Sequence, residues 1–204
     1  MKIKLEFLVS ATAMITAVAA VVVSVVQTDV MRDEAEMERQ SQRLSVMPSV
    51  WLEMNNSASA GDPDAPGHFE FVVINHGLGP ASLKSFTVQR DDKYVKNWSE
   101  WLSYIDKDKS DIEGITGLSY HSLPPKYVLP QGQQVQAYSI RAKSRFIGKI
   151  ERALNDSVYT LCFCSFYDDC WITSGLNTAP EPVDECKINT ENQFVSRRDR
   201  KSVH

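Results

Sequence analysis

FLVSATAMITAVAAVVVSVVQ, residues 7–27, contains no charged side chain. About twenty helical residues at 1.5 Å each cover about 30 Å, the thickness of a bilayer's hydrocarbon core. The stretch reads as a transmembrane anchor, and the rest of the chain divides around it. Residues 1–6 are a short N-terminal tail carrying Lys2 and Lys4. A basic start followed by Ala17-Val18-Ala19 also has the form of a cleavable signal peptide. The apolar run, however, continues through Val21, Val22, Val23, Val25 and Val26, past the roughly 7–15 residues of a signal core. An uncleaved anchor, embedded in lipid through residues 7–27, is the expectation.

Residues 28–46 read as a helical stalk. Arg32 and Glu36 stand i,i+4, and Glu36 and Arg39 i,i+3, the spacings that pair on a helix surface. Val30, Met37 and Leu44 recur every seven residues, too few positions for a coiled coil. Basic residues are nearly balanced across the span, Lys2 and Lys4 against Arg32, Arg39 and Arg43, so the positive-inside rule leaves orientation open.

Beyond the stalk, residues 47–175 read as one folded domain and 176–204 as an irregular tail pinned only near Cys186. Val50–Met54 and His68–Ile74 are apolar and rich in β-branched and aromatic residues. Ala81–Gln89 and residues 134–141 alternate with period two. Arg90-Asp91-Asp92-Lys93 is a hairpin tip. Trp98, Trp101, Leu102 and Ile105 share one face of a helix that Asn97 caps, a face suited first to packing on a sheet and second to lining a ligand groove. A second helix, carrying Phe146, Ile147, Ile150 and Leu154, follows a candidate cap at Ser144. Val158–Phe166 is the last long strand, turning at Tyr167–Asp169 into Cys170–Thr173. The expected fold is mainly β: an antiparallel β-sandwich of immunoglobulin-like kind with two helical insertions, preceded by one transmembrane helix and a short helical stalk.

Four cysteines, Cys162, Cys164, Cys170 and Cys186, are the sharpest chemical feature. Cys162 and Cys164 lie two apart on a strand and point to one face, where a bridge between them would be strained. Cys164 with Cys170 and Cys162 with Cys186 is one unstrained pairing. Cys162 with Cys170 and Cys164 with Cys186 is the other, and the sequence does not choose. An even number gathered within 25 residues fits an oxidising compartment, which places the domain in the periplasm and the anchor in the inner membrane. Two alternatives use the same residues: thiol–disulfide chemistry by the Cys162/Cys164 pair, or a cysteine-bound zinc in a cytoplasm-facing module.

Arg43-Leu44-Ser45-Val46-x-Pro48, with Asn75-x-Gly77-x-Gly79-Pro80-Ala81 downstream, resembles a group of uncharacterised bacterial single-pass membrane proteins. Met47 stands where that group usually has arginine. The resemblance implies the order of elements and a bacterial origin, and no activity.

No nucleophile elbow, zinc-protease or phosphate-loop pattern is present, and the histidines at 68, 76, 121 and 204 lack metal-ligand spacing. No catalytic, cofactor-binding or metal residue is expected. A net charge of −4 with mixed signs gives no field for nucleic acid. The basic run Arg197, Arg198, Arg200 and Lys201 reads as a solvated terminus. Trp98, Trp101, Tyr104 and His76 are the candidate binding surface. A non-enzymatic module that binds a protein partner in the membrane or periplasm is the functional expectation.

Overall fold

A computed structural model describes residues 2–105, 114–121 and 123–195. The basic run at 197–201 lies outside the described residues. The chain forms two compact units, Met1–Ser45 and Val46–His204.

The first unit is a single helix, α1 (Lys2–Ser45), so the expected anchor and stalk are one continuous element. It contains an 18-residue window of mean hydropathy 2.3, none of it buried within the protein. Thr12, Thr16, Ser24 and Thr28 would each present a hydroxyl to lipid or its boundary. Each donates it instead to a carbonyl one turn back, as Ser24 Oγ does to Ala20 O at 2.8 Å.

The second unit holds two antiparallel sheets. One has the order β1–β2–β7–β5, formed by β1 (Val50–Ser57), β2 (Pro66–Asn75), β5 (Gly117–Tyr120) and β7 (Gln134–Lys143). The other has the order β10–β9–β8–β3–β4, formed by β3 (Ala81–Arg90), β4 (Lys93–Val95), β8 (Ser157–Cys164), β9 (Cys170–Ser174) and β10 (Glu181–Val183). A two-residue strand, β6 (Val128–Leu129), adds to β3. The hairpin at Asp91-Asp92 has both residues at positive φ, 48° and 59°, the geometry that matches strand twist in a two-residue turn.

Both sheets bury their inner faces in one core. Phe71 of β2 meets Phe86 of β3 and Tyr159 of β8, with ring centroids 6.1 and 5.2 Å away. The helix α2 (Trp98–Ile105) closes one side. Asn97 Oδ1 accepts from Glu100 N at 2.9 Å, and Glu100 Oε2 accepts from Lys96 N at 2.8 Å, so the expected cap is present. This cap aims both tryptophans inward. Trp98 stacks on Tyr138 at 4.5 Å, and Trp101 is fully buried. Of the two readings of this face, packing in the core holds, and the candidate binding surface at Trp98 and Trp101 is corrected, since both are buried.

The helix α3 (Ser144–Asn155) buries Phe146, Ile147, Ile150, Ala153 and Leu154. Ser144 is its first residue and not its cap. Its hydroxyl is taken by the β1–β2 loop, donating to Ala65 O and accepting from Ser59 N. Strand β7 does not alternate cleanly, because the register against β2 shifts between Phe71 and Val72, and Ala137 and Tyr138 are consecutive and both buried. The Tyr138 hydroxyl is buried with no hydrogen-bond partner among the described residues, and burial pushes it well above the usual phenol range. Tyr138→Phe is therefore expected to leave stability unchanged or raise it by about 1 kcal/mol, as thermal unfolding would read.

Asp64, in the same β1–β2 loop, accepts from Lys143 Nζ at 2.9 Å, with Arg145 3.4 Å away. These cations hold its carboxyl below the usual 3.8. A lowered folded-state value means that the contribution is complete above about pH 4 and is lost as the pH falls further. Amide exchange in residues 58–65 should accelerate as the pH falls below 4 relative to the Asp64→Asn variant, after correction for intrinsic rates.

The start of the domain is clamped by Asn75, which is fully buried. Its Oδ1 accepts from Ser49 N (3.1 Å) and Gly77 N (3.0 Å). Its Nδ2 donates to Gly79 O, Leu129 O and Pro130 O at 2.8–3.3 Å. His76 N and Leu78 N bond Ser49 O and Met47 O, both at 2.8 Å, so residues 47–49 run as a short ladder beside 76–78. A Cβ on Gly77 would stand 2.3 Å from Ser49 N, and one on Gly79 2.0 Å from Val46 O. The Val46-x-Pro48 junction and the Asn75-x-Gly77-x-Gly79 turn are thus two halves of one contact. The glycines are required by the close approach of backbone to backbone.

Candidate functional site: a strapped cleft beside paired disulfides

The outer face of the β3–β8–β9 sheet is built from the residues that alternate with the core. Ser85, Thr87 and Gln89 of β3 stand beside Thr160 and Cys162 of β8, in the registers Ser85↔Cys162 and Thr87↔Thr160. Cys162 and Cys164 both point this way, as their spacing requires. The four thiols form Cys162–Cys186 and Cys164–Cys170, and none is free. In β8–β9, Ser165 N donates to Asp169 O, leaving Phe166–Asp168 as the tip, and Cys164 then faces Cys170 in register.

Cys186 carries the chain after β10 back over the sheet. This strap does not end at the disulfide, contrary to the expectation of a tail pinned only there. Asn189 Oδ1 accepts from Glu191 N to start a 3₁₀ turn, Thr190–Asn192. Lys96 Nζ donates to Glu191 O. Gln193 Oε1 accepts from Phe86 N, and Phe194 N donates to Phe86 O at 2.8 Å. Phe194 is buried, meeting Trp98 at 4.8 Å and Phe86 at 5.4 Å. Leu176, β10 and Phe194 therefore make residues 176–195 part of the domain. A lone aromatic in a polar tail was the only sequence signal for this. Phe194→Ala should cost about 3–4 kcal/mol in chemical denaturation, because it empties a site against two rings.

Between strap and sheet lies a cleft of about 830 Å³. Its floor holds Thr87, Gln89 and Thr160, its walls Tyr94, Asn189 and Gln193. Nothing in the sequence reading pointed to these residues, because alternating polar positions on a strand look the same whether they face solvent or a cleft.

The other candidates are dispersed. His76 is half-exposed, with Nε2 2.8 Å from Glu53 Oε1 and its ring edge-on to Trp51. It stands in the Asn75–Gly79 turn, away from the cleft's lining. Tyr104 packs partly buried against the core. The structure thus brings the four cysteines together and does not gather Trp98, Trp101, Tyr104 and His76 into one surface.

The sulfur cluster is tight: those of Cys164, Cys170 and Cys186 lie within 4.8 Å of one another, and Cys164 Sγ is 3.7 Å from Cys186 Sγ. As disulfide sulfurs they offer no thiolate to a metal. Cys162 and Cys164 belong to different bridges and are buried, so they are not a redox dithiol of the Cys-x-Cys kind.

A family model matches residues 7–190, from within the apolar span to the 3₁₀ turn of the strap, and the chain belongs to that family, a domain of unknown function (DUF8453). No curated protein matches the chain, and neither does any solved structure.

Proposed function

We propose that this chain is a membrane-anchored, non-enzymatic binding module of the bacterial envelope. Its head, an immunoglobulin-like sandwich, stands on the oxidising side of the inner membrane and engages a protein partner there. The observation that carries the reading is the pairing of all four cysteines in two bridges that hold the head's edge and strap, since such bridges persist in an oxidising compartment. The uncharged span in α1 supplies the anchor, and the family match takes in span and head as one unit. The resemblance carried by the Val46-x-Pro48 and Asn75-x-Gly77-x-Gly79 motifs supports the bacterial assignment.

The test is crosslinking in intact cells followed by affinity capture of the full chain from solubilised membranes. A specific membrane or periplasmic protein should be recovered with the wild-type chain. Recovery of the same background as an unrelated anchored protein would overturn the protein-partner reading.

A further inference from the structure

The cleft floor is unusual for an outer sheet face in its chemistry. A solvated face ordinarily carries lysines and glutamates, whereas here β3 and β8 contribute hydroxyls, a carboxamide and the bridged Cys162, and β9 and β10 add the apolar Ile172, Pro182 and Val183. The charged lining residues, Asp184, Glu185 and Lys187, all sit on the strap. Hydroxyl and carboxamide groups both donate and accept hydrogen bonds, so they match a ligand whose own groups do the same. An anion would meet two carboxylates and one ammonium. A peptide bound by strand addition needs a free strand edge, and the floor is the face of strands whose backbone groups are already used in the β3–β8 and β8–β9 ladders.

Tyr94, cross-strand from Gln89, is 40% exposed and presents an aromatic ring at one wall. Gln193 Nε2 is buried at the other wall without an acceptor among the described residues, while Gln193 Oε1 is held by Phe86 N. A volume of about 830 Å³ falls within the usual range for small-molecule sites. The geometry points to a neutral oligosaccharide as the occupant. Its ring hydroxyls or acetamido groups bond Thr87, Gln89, Thr160 and Asn189, and the C–H face of one sugar packs on Tyr94. The Cys162–Cys186 bridge fixes the strap that forms the roof.

The test uses the full chain in lipid nanodiscs, since sugar-headed detergents would compete. Chitotetraose and maltotetraose are titrated separately, by calorimetry and by saturation-transfer NMR. Saturable binding of at least one is expected. Thr87→Val with Thr160→Val keeps side-chain shape and removes two hydroxyls, and should weaken that binding about tenfold or more. Tyr94→Ala should weaken it comparably. Both variants should retain the wild-type melting temperature, which separates loss of the site from loss of the fold. Absence of saturable binding for both sugars, or binding unchanged in both variants, would overturn the assignment.

Discussion

Asn75→Ala is expected to destabilise the head by about 3–5 kcal/mol, enough to leave much of the chain unfolded at 37 °C. The side chain is wholly buried and joins three segments: the incoming residues 47–49, the 76–79 turn, and the loop after β6. Truncation leaves the Ser49 and Gly77 N–H groups without this acceptor and takes a buried donor from the Gly79 and Leu129 carbonyls, while Pro130 O keeps Gln133 N. Each unsatisfied group costs about 1–3 kcal/mol, partly relieved by relaxation. Asn75→Asp should fail as well, because it sets a carboxylate oxygen against the carbonyls of Gly79 and Leu129. Gly79→Ala should reach a similar loss by a different route, forcing Val46 O away from its 2.0 Å approach to the new methyl. Urea unfolding of the three variants is the measurement. A loss below 1 kcal/mol for Asn75→Ala would mean that the junction is not held as described.

The second large effect concerns the bridges. Cys162–Cys186 closes a sequence separation of 24, and Cys164–Cys170 one of 6. On the chain-entropy relation the first stabilises by about 3.5 kcal/mol and the second by about 2.4. Cys162→Ser with Cys186→Ser should therefore lower the melting temperature more than Cys164→Ser with Cys170→Ser. The first pair should also open residues 184–192 to limited proteolysis, while Phe194 still holds the far end of the strap. The second pair should leave the strap protected. Equal protease sensitivity in both would contradict the role given to Cys186.

Much of the fold was legible because its signals are local. An uncharged span, a capped helix with apolar residues at i, i+3, i+4 and i+7, and alternating strands around a turn each need only a dozen residues to declare themselves. Two bridges remained open in the sequence because pairing depends on the length of the β8–β9 tip, and on which sulfur the returning strap reaches. The errors came from long-range geometry. The helical spacing of Trp98 and Trp101 favours a core and still admits a ligand groove until the opposing Tyr138 and Phe194 are placed. Ser144 resembled a cap because its competing partners, Ser59 N and Ala65 O, lie about eighty residues earlier. The strap reads as an irregular tail in sequence because nothing local marks a polar segment that will fold back over a sheet. The cleft was invisible for the same reason.

Cysteine status in freshly lysed cells, trapped with an alkylating agent at the moment of lysis and mapped by non-reducing mass spectrometry, bears most directly on the anchored, oxidised head. The account predicts peptides joined as Cys162 to Cys186 and Cys164 to Cys170, with no alkylated cysteine. Four alkylated thiols would place the head in a reducing compartment and contradict it.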